Sequence, residues 1–485
     1  MATNVLIVLA DQFRADCLGV AGHPDLRTPS LDALARDGIH YPNSFCVAPL
    51  CTPSRYTLLT GYLPAQHGVH GNNQPLGRGL TTLPERARSA GLRTAAVGKM
   101  HFTPTYMDAG FDIMRLCEQN GDGRLIDDYH GELIAAGLID GVDLIDQRAD
   151  YRRRANADYR NAFGTATSDL PEEWHSTTWT ANQAIGLIDD SWTDGGQLMY
   201  LSFVKPHHPF DPPSPWDQQY DPSRLTILPG YTDTVPPHDV EAGYFDNRAL
   251  SPSALRTVMA AYYGTISHLD FQLGRVIQRL RDLDAYQNTM IIFTSDHGEY
   301  LGFHHMLLKA GPMYDPVVQV PLIVKPAQAQ HDGAASDGPR VDQRLTSGQD
   351  IVPTTLTGLG IRPAPDLDGH DLLDQDWRRD IVQTQSQHGH MARSASAKLI
   401  TTEAGSMIFD LTADPLELAP QTVDAHEHAD LELALNEFRA VDAVPAGQAR
   451  DVDPSHRRDD AGTARRRAAQ FENLLESQGH PWLSR

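Results

Sequence analysis

Lysine is almost missing from this chain. Of 40 basic residues only five are lysines, at positions 99, 205, 309, 325 and 398. The net charge of -23 argues against a nucleic-acid partner and against docking on an anionic membrane, since both need a basic face. Cysteine is scarce too: the four at 17, 46, 51 and 117 form neither a disulfide framework nor a zinc-finger spacing. No apolar run approaches the ~20 residues of a membrane span. Met1-Ala2-Thr3-Asn4 has no basic n-region, and Val5–Ala10 is too short for the apolar core of a secretion signal. The expected location is therefore cytoplasmic.

What is present is a series of short, continuous apolar runs. These are Asn4–Ala10, Thr94–Val97, Gln197–Phe203 and Thr289–Thr294, with Pro321–Val324 as a further candidate. Continuous rather than alternating hydrophobicity predicts buried parallel strands. Helical patterns lie between them. Leu31–Arg36 follows a Thr28-Pro29-Ser30 cap, and Ser253–Leu283 is amphipathic throughout. Alternating strands and helices predict an α/β fold, a large mixed but mostly parallel sheet sandwiched by helices.

A catalytic domain is expected over residues 1–371, and a smaller α+β unit over 372–445. Residues 104–180 are polar and irregular, carry Arg152-Arg153-Arg154, and read as an insertion over the site edge or as an oligomer contact. The charged tail, 446–485, reads as a solvated run or as a clasp on a neighbouring subunit of a homo-oligomer. Trp174, Trp179, Tyr106 and Trp216 suit core packing, or stacking on a sugar or quaternary ammonium.

Ionisable residues follow each strand. Asp11 follows the first, Lys99 and His101 the second, Lys205, His207 and His208 the third, Asp296 and His297 the fourth. Open α/β sheets bind ligands at that edge. Asp11, Asp296 and His297 read as ligands of one divalent metal. Carboxylates suit calcium, magnesium or manganese, and the histidine leans toward manganese.

The most specific motif is Cys51-Thr52-Pro53-Ser54-Arg55. Its pattern, Cys-x-Pro-x-Arg, directs oxidation of a sulfatase cysteine to the aldehyde formylglycine. Chance gives roughly 0.02 matches in a chain with near-average proline usage. A buried structural thiol is the bland alternative. The run predicts a helix with Thr52 as N-cap, Pro53 at the first position and Gly61 as a stop. Its N-terminus suits a sulfate or phosphate, and Arg55, one turn in, would stabilise the nucleophile and the leaving oxyanion.

With further motifs added, the chain resembles the type I sulfatases of the alkaline phosphatase superfamily. The resemblance rests on Ala10-Asp11-Gln12, Cys51–Arg55 with Thr60-Gly61, Gly98-Lys99-Met100-His101, Lys205-Pro206-His207-His208-Pro209-Phe210, Thr294–Glu299, and Gly302-Phe303-His304 leading to Lys309. Asp350–Leu356 and Phe409–Pro415 complete it. The resemblance implies an alkaline phosphatase-like fold and a formylglycine at Cys51, made by a formylglycine-generating enzyme before folding. It implies one metal, calcium or alternatively manganese, on Asp11, Gln12, residue 51, Asp296 and His297. One hydroxyl of the hydrated aldehyde would attack sulfur while Lys99 and Lys309 neutralise the sulfate. His207 would protonate the leaving alcohol. His101 would deprotonate the second hydroxyl, expelling sulfate and restoring the aldehyde.

Asn72 and His304 are the candidate substrate contacts. The alternatives are a turn for Asn72 and loop structure for His304. His208 is surplus to the motif, with no role expected. Many relatives carry two aspartates where Asp11-Gln12 stands, and Asn in place of His297. The variants seen here resemble choline sulfatases, some glycan sulfatases and phosphonate monoester hydrolases. The last group usually has Gly-Pro-Ala in place of Thr52-Pro53-Ser54, which favours a small organic or sugar sulfate ester. A phosphonate monoester or phosphodiester is the alternative substrate.

Overall fold

The computed structural model describes residues 3–482, apart from 120, 149–151, 193–194, 310, 329–339, 422–428, 442–443, 446, 457–460 and 480–481. Its strands are β1 Asn4–Asp11, β2 Ile39–His40, β3 Ser44–Phe45, β4 Arg93–Gly98, β5 Ile113–Leu116, β6 Gln197–Pro206, β7 Thr289–Ser295, β8 Leu322–Lys325, β9 Arg340–Val341, β10 Thr346–Ser347, β11 Val382–Ser386, β12 Gly389–Arg393, β13 Ala397–Thr402 and β14 Gly405–Asp410. The main sheet runs β5-β4-β6-β1-β7-β8-β2-β9. Its first five members are parallel.

The continuous apolar runs are explained by β1. Leu6, Val8 and Ala10 enter one core cluster while Val5, Ile7 and Leu9 enter another. Each face is covered by helices, so neither set of side chains meets water. On the first face lie Ser176–Ser191 and the long helix Pro252–Asp282. Ser251 caps the long helix, its hydroxyl accepting from the Ala254 N–H. On the second face lie Cys51–Thr60, Leu83–Ser89 and Ile351–Gly358.

β8 departs from the expected parallel order, pairing antiparallel with β7. A short buried apolar run does not encode direction; the connection does, and the described residues between β7 and β8 contain no helix longer than Asp315–Val318. The stretch 104–180 is more regular than its polarity predicts. It contributes β5 to the sheet edge and folds the helices Asp128–Ala135, Gly141–Arg148 and Ala157–Ala162. Trp179 packs beside Tyr129 and donates to Glu132, while Trp216 stacks on His268.

β11–β14 form a separate antiparallel sheet. Ala392, Leu399 and Ile408 pack under helix Ala429–Arg439, and Met391, Ile400 and Phe409 face Phe45 and Tyr314 of the large unit. Near the C-terminus, helix Ala461–Gln478 returns to its own chain: Phe471, Leu475 and Trp482 are buried in the first core cluster. Phe471→Ala is therefore expected to cost about 3 kcal/mol in chemical unfolding. A purely solvated tail predicts a change within about 0.5 kcal/mol.

Candidate active site

Parallel pairing of β1 with β7 places Ala10 opposite Ser295. The next residues, Asp11 and Asp296, are consequently neighbours at one sheet edge, both fully buried. Gly98 ends β4 with φ of +90°, and a Cβ there would stand 1.9 Å from the Ser202 carbonyl oxygen. Only glycine lets β4 turn against β6 at that point and deliver Lys99 to the centre. Gln12 (φ 64°) and His101 (φ 59°) also hold left-handed backbone beside the centre, a conformation that costs non-glycine residues and clusters at functional sites.

Helix Cys51–Thr60 approaches from the second face. Its N-cap is Leu50, so Thr52 and Pro53 sit inside the first turn rather than at its edge. Leu50 offers no side-chain cap, and the Asn72 carboxamide oxygen takes the Thr52 N–H instead, at 3.0 Å. Gly61 ends the helix with φ of 81°. Cys51 Sγ accepts from Lys309 Nζ at 2.9 Å and lies 3.4 Å from His297 Nε2 and 3.9 Å from Asp11 Oδ1.

Arg55 is engaged away from any ligand. Its Nε donates to Asp296 Oδ2 (2.8 Å), Nη2 to Asp11 Oδ2 (2.9 Å), and Nη1 to the Lys99 carbonyl (2.6 Å) and Ser202 Oγ (2.9 Å). Lys99 Nζ adds a second cation to Asp11 Oδ2 at 2.8 Å. Burial alone would raise the Asp11 carboxyl, but Lys99, His207, Arg55 and Lys309 together hold it well below its usual range. Asp296 moves the other way, raised by burial and by Asp11. The Cys51 thiol, despite burial and Asp11, is drawn well below the ordinary thiol range by Lys309, Lys99 and His297.

The donor set fits a divalent cation. Asp11, Cys51, Asp296 and His297 present ligand atoms within 4.8 Å of one another. His297 gives its Nδ1–H to the Gly298 carbonyl at 3.0 Å, which leaves the Nε2 lone pair facing the carboxylates. Gln12 gives its amide N–H to Glu299 at 2.5 Å, while its carboxamide oxygen is buried without a hydrogen-bond partner. Two carboxylates, an amide oxygen and an imidazole suit calcium or manganese.

A second layer surrounds this centre, and most of it comes from residues that carry no motif. Gln119 Oε1 accepts from Lys99 Nζ at 3.1 Å, and Gln119 Nε2 donates to the His208 carbonyl at 2.8 Å. The same carbonyl takes the His207 Nδ1–H at 2.6 Å, so one buried amide links Lys99 to His207. Glu118 receives the backbone N–H groups of Met100 and His101. His208 is buried, not surplus: it stacks on His207 at 4.0 Å and pairs with Asp146 at 2.7 Å. Lys205 ties down the same loop through Asp211 and the Pro209 carbonyl. His207 lies well below the usual imidazole range, first through burial and then through Lys309, His208 and Lys99.

His304 is placed elsewhere. Its ring nitrogens engage Asp239 Oδ2 (2.7 Å) and the Leu416 carbonyl (2.8 Å), a use that fixes its loop. The remaining sequence-derived candidates, Asp11, Gln12, Cys51, Arg55, Asn72, Lys99, His101, His207, Asp296, His297 and Lys309, are brought to one end of the sheet.

Comparison with known proteins agrees with this geometry. The sulfatase family model matches residues 3–361. The chain is 28% identical to an arylsulfatase of Clostridium perfringens over 446 residues, covering 86% of this chain and 90% of that protein. It is 25% identical to a choline-sulfatase of Rhizobium meliloti, covering 99% and 93%. The crystal structure of a phosphonate monoester hydrolase of Agrobacterium radiobacter superposes with a TM-score of 0.72 at 25% identity, covering 90% and 94%. A family match over most of the chain, on a fold whose sheet edge gathers Asp11, Cys51, Lys99, Asp296 and Lys309, makes this protein a member of the sulfatase family within the alkaline phosphatase superfamily, an enzyme of sulfate ester hydrolysis.

Proposed function

We propose that the enzyme cleaves a small organic or sugar sulfate monoester through a formylglycine derived from Cys51. The observation that carries this reading is the setting of Cys51: first residue of a helix, in contact with Lys309, His297 and Asp11. A helix N-terminus and two buried ammonium groups, Lys99 and Lys309, supply a local anion site within an acidic body. Cys51 has no exposed surface, which supports conversion by a formylglycine-generating enzyme before the chain folds.

A calcium ion held by Asp11, Gln12, residue 51, Asp296 and His297 would supply charge neutralisation at the sulfate and at the nucleophilic oxygen, with manganese as the alternative. The chain's own groups do the rest. Arg55 positions the two carboxylates and does not itself need to meet the ester. Lys99 and Lys309 bind the sulfate oxygens. His207, its Nδ1–H fixed on the His208 carbonyl, donates from Nε2 to the leaving alcohol. Burial first, then Lys309, His208 and Lys99, hold His207 well below the usual imidazole range, and a bound sulfate would offset the ammonium part of that effect. His101 removes the proton that lets sulfate depart. Asn72 lies at the rim, one residue from the nucleophile through Thr52.

A phosphonate or phosphodiester substrate is the second reading, favoured by Gln12, His297 and the likeness to phosphonate monoester hydrolases. Thr52-Pro53-Ser54 weighs for sulfate. Protein with confirmed aldehyde at position 51 is expected to show higher kcat/KM on an aryl sulfate than on the matching aryl phosphonate monoester. The reverse order selects the second reading.

Substituting His207→Ala is expected to lower kcat on an alkyl sulfate by about 10²–10⁴-fold and to spare nitrophenyl sulfate, whose leaving group needs no proton. Equal losses on both esters would remove His207 from the acid role. Gln119→Leu keeps the volume but cuts the link between Lys99 and His207. It is expected to lower kcat by roughly 10–100-fold with KM little changed, read from steady-state kinetics. An unchanged kcat would mean that the amide only fills space.

A further inference from the structure

We propose that His238, Asp239 and His304 form a second metal site, of zinc type, separate from the catalytic centre. Their ligand atoms lie within 4.8 Å of one another. His238 Nε2 is 3.3 Å and His304 Nδ1 is 2.7 Å from the same oxygen, Asp239 Oδ2. Ligands ~2.0–2.1 Å from a tetrahedral zinc stand ~3.3 Å apart. One edge already has that length, and the other needs to open by ~0.6 Å.

The surroundings are those of a metal triad. His304 Nε2 faces the Leu416 carbonyl at 2.8 Å. A carbonyl only accepts, so Nε2 carries a hydrogen, and in the neutral ring Nδ1 is then a bare lone pair pointing at a carboxylate. Either a second proton or a cation must lie between them. A backbone carbonyl on the far nitrogen is the arrangement that prepares an imidazole for a metal. The second Asp239 oxygen takes the Tyr314 hydroxyl at 3.1 Å, and Asn247 Nδ2 donates to the Asp239 carbonyl at 2.7 Å. The first contact fixes the carboxylate and the second the backbone that carries it. Asp239 and His304 are fully buried, whereas the His238 side chain is 24% exposed, which leaves the fourth position to water.

Two imidazoles and one carboxylate favour zinc over calcium. The catalytic set, richer in oxygen, favours the opposite. The site has a structural use. It joins the turn Pro237–Asp239 to the segment between His297 and Lys309, and through Leu416 to the chain beyond β14. Zinc here would hold the loop that delivers Lys309 to Cys51.

The test is a zinc titration by calorimetry on the full chain, freed of metal by chelation and then saturated with calcium. His297→Ala and His238→Ala serve as the two arms, because zinc can also enter the catalytic centre. The expected result is one zinc equivalent that survives His297→Ala and is lost, or weakened at least 10-fold, in His238→Ala. Zinc should also raise the unfolding temperature of the wild type more than that of His238→Ala. Equal zinc stoichiometry and affinity in the wild type and His238→Ala would overturn the proposal. So would a His297→Ala protein that binds no zinc, and the His304–Asp239 contact would then be a proton-held pair. The readout needs neither activity nor formylglycine, so it stands apart from the proposed reaction.

Discussion

Two buried aspartates cannot sit side by side without compensation, and this fold is arranged around that constraint. Parallel pairing of β1 and β7 forces Asp11 and Asp296 together at one sheet edge. An unpaired ionised carboxylate in such a place costs several kcal/mol. Arg55 answers both at once through Nε and Nη2, and Lys99 adds a second contact to Asp11. Arg55 is fully engaged within the protein by these contacts and by the Lys99 carbonyl and Ser202 Oγ. Lys99 and Lys309 are further buried cations at this end of the sheet, and Lys309 meets Cys51 rather than a carboxylate.

This explains how a strongly acidic chain handles an anionic ester. Three of its five lysines, 99, 205 and 309, stand at or beside the centre, each at most 4% exposed. The charge balance of the surface is irrelevant at that depth. What matters is a few cations whose neighbours are fixed. Glu118 and Gln119 hold the Lys99–His101 turn, and Lys205 with Asp211 holds the loop bearing His207 and His208. The stretch 104–180 is therefore part of the site's support, through Gln119 and through Asp146 on His208.

The strands that build the edge were legible because burial on both faces demands continuous hydrophobicity, and the long helix because its apolar stripe repeats with helical period. The centre was legible because motif residues follow strand ends. The support was not. Gln119, Glu118 and Asp146 are common polar residues with no periodicity, and nothing in their local sequence says which side chain they will meet. The direction of β8 was hidden for a similar reason. His208 was passed over because a motif names only the residues it repeats. The helix start was misplaced because Thr52 and Pro53 make an ordinary N-terminal pair, whereas the real cap comes from Asn72, a tertiary contact.

By itself, then, the sequence determined the fold class and the family, and it named most of the polar groups that the fold gathers at one end of the sheet, since these follow from periodicity and from short motifs. Tertiary structure alone decided how those groups divide their work. It assigned Arg55 to the carboxylates, joined Lys99 to His207 through Gln119, and took His304 away to Asp239. The physical reason is that a buried polar group must find its partner in space, and partners here stand as far apart in sequence as Cys51 and Lys309.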